Sequence, residues 1–263
     1  QNAEVKHLTS ILGLEPGKQY TKQDCPNYAH LLILTDQDPD GSHIRGLLIN
    51  FLHALFPSLL VAFPDFVRCF ATPLVRVEGH DKKPSSSSSK GKHAGSAINF
   101  FSEPEFKEWR QGRQERGEPC GVAKYYKGLG ALSNAMAKTL FSEMGKYTVS
   151  LSYSGEECTN KLRLFFDETK VSERKSYLTD QYDPSARFDF SAQKSPIWKW
   201  CDEDLTHFMM YNNHRAFPSV VDGLKVSQRK VLYGCFKIGL TKDMKVFQLV
   251  GRIAAETGYH HGD

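Results

Sequence analysis

Short apolar runs and helical apolar spacings divide the chain into recognisable pieces. HLLILT (30–35) is a continuous β-rich run, the pattern of a strand buried on both faces. Ile44, Leu47, Leu48, Phe51, Leu52 and Leu55 then recur at helical spacing, with Ser42 as the candidate cap and Pro57 as the stop. INFFSEPEFKEWRQ predicts a strand followed by a helix capped near Ser102, and VAKYYKGLG (122–130) a strand running into a glycine turn. EGHDKKPSSSSSKGKHAGSA (78–97) has no apolar period and reads as a mobile surface loop. From the glycine turn to about residue 190 the pattern is that of a polar connection. Two helical patterns follow. SQRKVLYGCFK starts at a Ser227 cap and would bury Val231, Leu232, Cys235 and Phe236; KVFQLVGRIAAE would bury Phe247, Val250, Ile253 and Ala254, with Gly258 as C-cap. The short turn IGLTKD joins them, so a helix-turn-helix is the leading local reading.

Composition narrows the class. At 263 residues and 40% apolar, the chain can bury a sizeable core and is expected to hold more than one domain. The longest apolar patch, Leu47 to Phe63, is broken by Asn50, His53, Pro57 and Ser58, which excludes a membrane span. The first residues carry no initiator Met, signal peptide or presequence pattern, so the chain reads as an internal segment of something longer. Six scattered cysteines, with no close pair, argue against a zinc ribbon or disulfide framework and for a reducing compartment. The net charge of +4 says little, but its distribution says more. Between Arg215 and Arg252 lie Lys225, Arg229, Lys230, Lys237, Lys242 and Lys245, against only Asp222 and Asp243. That basic block suggests a polyanion surface, separate from an acidic cluster nearer the N-terminus.

The acidic cluster is Asp36, Asp38 and Asp40, alternating between the β-rich run and the helical pattern. Carboxylates held that close repel one another and need a compensating partner, usually a divalent cation. A calcium hand fails at the twelfth position, Leu47, where a bidentate Glu is required. A solvated acidic turn is the bland alternative. A strand-end Mg²⁺ site, with hard oxygen ligands and positions left for water and phosphate, fits best and points to phosphoryl chemistry.

TDQDPDGSHIRGLLINF, YYKGLG, PSVVDGLKVSQRKVLYGCFK and YHHGD, in this order and across essentially the whole chain, resemble the breakage-reunion core of eukaryotic-type type II DNA topoisomerases. The resemblance implies an α/β TOPRIM fold, a Rossmann-like parallel sheet, followed by the start of a helix-turn-helix or winged-helix domain. Its boundaries would be 1–67 for the TOPRIM metal-binding core, 68–185 for the remainder with the Ser-rich loop and the KGLG turn, and 190–263 for the N-terminal part of the winged-helix domain. It implies ATP-driven passage of one duplex through a transient, phosphotyrosyl-linked double-strand break in another. Asp36 and Asp38 would be the Mg²⁺ ligands, with Mn²⁺ or Ca²⁺ as substitutes, and Asp40 a supporting third carboxylate. Arg215, Lys225 and His261 would grip the scissile phosphate and stabilise its transition-state charge. Arg174, Lys175, Arg229, Lys230 and Lys127 would contact the DNA backbone. Double-stranded DNA and a second copy of the chain would be partners, without a membrane, and ATP would act through a domain outside these residues. The nucleus is the implied compartment, with a mitochondrion, kinetoplast or other organelle as alternative. The family's E-G-D-S-A motif and its nucleophilic Arg-Tyr pair would lie outside the chain, so no tyrosine here is expected to be the nucleophile, and Tyr125 and Tyr126 read as packing residues. Val226 stands where the family usually has proline. Two other readings stay open: a non-catalytic TOPRIM/helix-turn-helix DNA-binding protein, and another TOPRIM enzyme, a primase or nuclease.

Overall fold

In the computed structural model, which describes residues 2–24, 26–79, 97–126 and 132–259, the chain divides into two units, Gln1–Phe208 and Met209–Asp263. In chain order the first contains α1 (Ala3–Leu12), β1 (Leu31–Leu34), α2 (Pro39–Leu55), α3 (Pro57–Ala62), β2 (Val67–Phe70), β3 (Val75–Glu78), β4 (Ile98–Phe100) and α4 (Glu103–Glu115). Then come β5 (Val122–Tyr125), α5 (Asn134–Ser142), β6 (Thr148–Ser152), α6 (Glu156–Phe166), α7 (Val171–Asp180), β7 (Lys194–Pro196) and α8 (Ile197–Trp200). A π-helical turn, Cys201–Leu205, leads into α9 (Thr206–Ala216).

The expected parallel sheet is in fact mixed. Its order is β1-β2-β6-β7; β1–β2 and β6–β7 are parallel, whereas β2 and β6 run antiparallel, Val67 opposite Leu151. The physical reason is the connections. Parallel neighbours need a crossover, and α2–α3 and α6–α7 supply one each. Between them the chain leaves to form a second sheet, β4-β3-β5, all antiparallel, and re-enters in the opposite direction.

β1 is an edge strand, so Ile33 is buried while Leu34 is exposed, and the two-sided burial expected for this run is incomplete. The stretch read as a polar connection contains β6, α5, α6 and α7. Val149 and Leu151 of β6 and Cys158, Leu162 and Phe165 of α6 are core residues, at periods of two and of three to four. Polar neighbours masked these short signals. β7, Ile197, Trp200 and Leu205 also belong to this core, which carries the first unit past residue 190.

α2 buries a different face from the one its apolar pattern suggests. Gly41, Ser42, Arg45, Gly46, Ile49 and Leu52 face inward, and Ile44, Leu47 and Leu55 are exposed. The helix packs on α6 and the π turn at close range: a Cβ on Gly46 would press on Phe166, Leu205 and Trp200.

In the second unit α10 (Val226–Lys237) packs on α11 (Val246–Thr257) through Gly234 and the buried Ile253, with Lys237 paired to Glu256 at 2.8 Å. Phe236 and Phe247, expected inside, are 75% and 68% exposed. Phe236 stands two residues from Gly234, about 200° around the helix from the contact line. Lys225, rather than Ser227, is the N-cap of α10, its N–H donating to Gln228 Oε1 at 2.9 Å. Gly258 ends α11 in the left-handed conformation.

Candidate metal and nucleic-acid site

The acidic run occupies the step from β1 into α2. Asp38 has extended backbone and caps the helix, its Oδ1 accepting from Gly41 N–H at 2.7 Å, with Pro39 in the first turn. Asp40 follows in that turn, where the helix dipole favours a carboxylate. Gly41 is demanded by a close approach: a Cβ there would run into the Asp36 carbonyl. The first turn of α2 thus closes directly onto the segment that leaves β1, with Asp36 ahead of the helix, Asp38 at its cap and Asp40 in its first turn.

Behind this loop lies a buried polar cluster. Arg45, fully buried, donates from Nε to Thr35 Oγ1 at 3.1 Å, from Nη2 to Gln37 Oε1 at 3.0 Å and, at 3.5 Å, to the Asp36 carbonyl. Its Nη1 meets Asp204 Oδ2 at 3.1 Å, and its guanidinium lies 5.4 Å from the Phe190 ring centre. The same Asp204 oxygen accepts from Ser42 Oγ at 2.5 Å and Trp200 Nε1 at 2.8 Å. Ser42 is therefore a tether to the π turn and not the cap of α2. The π turn aims Asp204 at α2, and such turns are frequent at functional sites.

A cleft of about 420 Å³ opens beside the loop, lined among others by Gln37, Asp38, Phe101, Glu203, Asp204 and His207. Burial raises the Glu203 carboxyl above its ordinary range. His207 Nε2 donates to the Ala186 carbonyl at 2.9 Å, which leaves Nδ1 to accept from Tyr182 Oη at 3.0 Å.

Among the described residues no three His, Cys, Asp or Glu side chains converge as a closed metal cage. The loop offers something sparser: carboxylates at a strand end, one of them, Asp38, exposed with Oδ1 already spent on the helix. Hard oxygen donors supplying one or two ligands, with the rest left to water and phosphate, are what Mg²⁺ accepts. The donor set fits that ion.

The residues of the C-terminal basic block lie in the second unit. Arg215 ends α9, its guanidinium 4.9 Å from the Tyr211 ring centre and its Nε donating to Asn212 Oδ1 at 3.3 Å. The Lys225 side chain is exposed and Lys230 is half-buried. Arg229 forms a two-pronged pair with Asp222, at 2.9 and 2.7 Å, which pulls the Asp222 carboxyl down to about 2.

Comparison with known proteins places this geometry. The family model for the C-terminal associated domain of TOPRIM matches residues 70–213, and that for DNA gyrase/topoisomerase IV matches 215–263. The whole chain aligns with DNA topoisomerase 2 of Penicillium chrysogenum at 40% identity and of Saccharomyces cerevisiae at 36%. The chain belongs to the DNA topoisomerase II family. It spans 16% and 17% of those two relatives' lengths. It is also similar, at 33% identity and a TM-score of 0.77, to the solved Plasmodium falciparum topoisomerase II DNA-binding, cleavage and re-ligation domain, covering all of this chain and 33% of that one.

The remaining residues singled out in this chain fall as follows. Arg174 of α7 caps α6, donating from Nη1 to the carbonyls of Leu164 and Phe165 at 3.0 and 2.6 Å, while its neighbour Lys175 is exposed. Tyr126 is buried with Phe70 and Leu140, and Tyr125 packs edge-on against Phe106. Lys127, His261, the KGLG turn and most of the Ser-rich loop lie outside the described residues. Sequence reading missed Arg45 and Asp204. The signal for Arg45 was a charged residue in step with Ile49 and Leu52; Asp204 had none, because a π turn leaves no mark in an α-helical count.

Proposed function

We propose that the chain is the cation-binding and DNA-holding part of an ATP-dependent type II topoisomerase, acting in the nucleus as a homodimer on double-stranded DNA. ATP would be used by a domain outside these residues. Asp36 and Asp38 hold Mg²⁺, or Mn²⁺ or Ca²⁺ in its place, with Asp40 supporting them. When bound, the cation supplies Lewis-acid stabilisation of the 3′ oxygen that leaves and returns. Arg215, Lys225 and His261 stabilise negative charge on the scissile phosphate, with Lys175 and Lys230 as candidates for holding the flanking backbone and Lys127 beside them. Arg174 and Arg229 are further candidates for contact with the DNA backbone, and they also fix α6 and the Asp222 turn. α10 and α11 are the first helices of a winged-helix domain. The five described cysteines, all free, support a reducing compartment.

One observation carries this reading: Asp36, Asp38 and Asp40 fill the step from the carboxyl end of a strand into a helix whose first turn closes on the Asp36 carbonyl. The test is decatenation of linked DNA circles by the full-length protein with ATP and Mg²⁺. Asp36→Asn/Asp38→Asn should abolish it while leaving duplex binding in place. Decatenation that survives this change would remove the cation assignment.

A further inference from the structure

Arg45 has no part in the chemistry above, yet it is a fully buried cation directed at the acidic loop. A buried ion pair such as Arg45–Asp204 is typically no better for stability than well-packed apolar side chains. Its geometry suggests another use. The loop between β1 and α2 is fixed at one end by strand pairing and at the other by the Asp38 cap. Between these anchors, Arg45 holds the Asp36 carbonyl and the Gln37 side chain, and Thr35 just before them. We infer that Arg45, braced by Asp204, is a positioning residue for the divalent cation, setting the Asp36 and Asp38 carboxylates relative to one another through Asp36 and Gln37. The inference rests on the reading of Asp36 and Asp38 as cation ligands.

Three features make the arrangement suited to this. The guanidinium is a planar fork of donors, so it fixes direction as well as distance, which a lysine ammonium cannot do. Asp204 matches its charge from the side of the π turn, at 3.1 Å. Asp204 is in turn held by Ser42 and Trp200, so the brace reaches from the first turns of α2 to the π turn. Groups that orient metal ligands in this way commonly change affinity by about 10- to 100-fold when altered.

The experiment titrates the DNA-free full-length protein, without ATP, with Mn²⁺ and reads free Mn²⁺ by electron paramagnetic resonance. Asp36→Asn/Asp38→Asn supplies the baseline for sites elsewhere. Arg45→Lys keeps the charge and loses the fork. Gln37→Ala removes one end of the grip without leaving a buried charge, and it decides the matter should Arg45→Lys fail to fold. Both are expected to weaken the loop-dependent Mn²⁺ site, Arg45→Lys by about tenfold or more, with Gln37→Ala keeping the wild-type melting midpoint. Folded variants that bind Mn²⁺ as the wild type does would overturn the positioning role alone, whatever their melting midpoints. A wild type indistinguishable from the Asp36→Asn/Asp38→Asn baseline would overturn the cation reading and this inference together.

Discussion

Asp38 caps α2 with the same carboxylate that is proposed to hold the cation, and substitution can separate the two. Its Oδ1 caps α2, a role asparagine fills as well as aspartate. Asp38→Asn should therefore unfold in urea within a few tenths of a kcal/mol of wild type, whereas Asp38→Ala should lose about 1 kcal/mol. Gly41→Ala is expected to cost about 1–3 kcal/mol, because the new Cβ meets backbone, the Asp36 carbonyl, which cannot step aside as a side chain would. The Arg229–Asp222 pair has a pH signature. Pairing lowers Asp222 from 3.8 to about 2, so its contribution is present above pH 3.8 and is lost as pH falls through about 2. In Arg229→Gln the Asp222 carboxyl should titrate closer to its ordinary value, the Leu224 N–H still holding it somewhat below, which a carboxyl-resolved NMR titration would read directly.

At the level of elements, α2 shows why periodicity located the helix but mistook its face. Apolar residues outnumber polar ones on the side containing Ile44, Leu47 and Leu55, yet that side is exposed. The buried side begins with Gly41, Ser42, Arg45 and Gly46, which a count of hydrophobic positions scores as surface. What turns them inward is tertiary: Asp204 offers one oxygen to both Ser42 and Arg45, and Gly46 admits Trp200 and Leu205. The acidic loop itself was legible, because strand, aspartates and helix are contiguous in sequence; its brace was not, because Asp204 joins from far along the chain. The α10–α11 pair gives a second element-scale expectation. Ile253 is its buried side chain against Gly234, so Ile253→Ala should destabilise the pair by about 2–5 kcal/mol, seen as loss of helical circular dichroism on mild heating.

Over the molecule as a whole, two β–α–β crossovers are joined through one antiparallel seam, β2 against β6, with a separate antiparallel sheet inserted between them. Such an insertion breaks the regular alternation that a sequence reader uses to infer a parallel sheet; β1, β4 and β5 were legible in the pattern, and β2, β3, β6 and β7 were not. The basic block of the second unit was legible from charge alone, and it carries a whole-molecule expectation. Duplex affinity should fall linearly on a logarithmic salt scale, and Lys225→Ala should flatten that slope by about 1 if its ammonium neutralises one phosphate. The α10 fold would be untouched, since Lys225 caps through its backbone. The π turn sets a last constraint, on length instead of composition. Between Trp200 and Asp204 the chain carries the extra residue that phases Asp204 toward α2. Deleting one residue there would restore ordinary helical winding and swing Asp204 about 100° away from Ser42 and Arg45. Exchange of Glu203 for alanine should be tolerated where its deletion is not, so across related chains this segment should keep its count and Asp204 while position 203 varies.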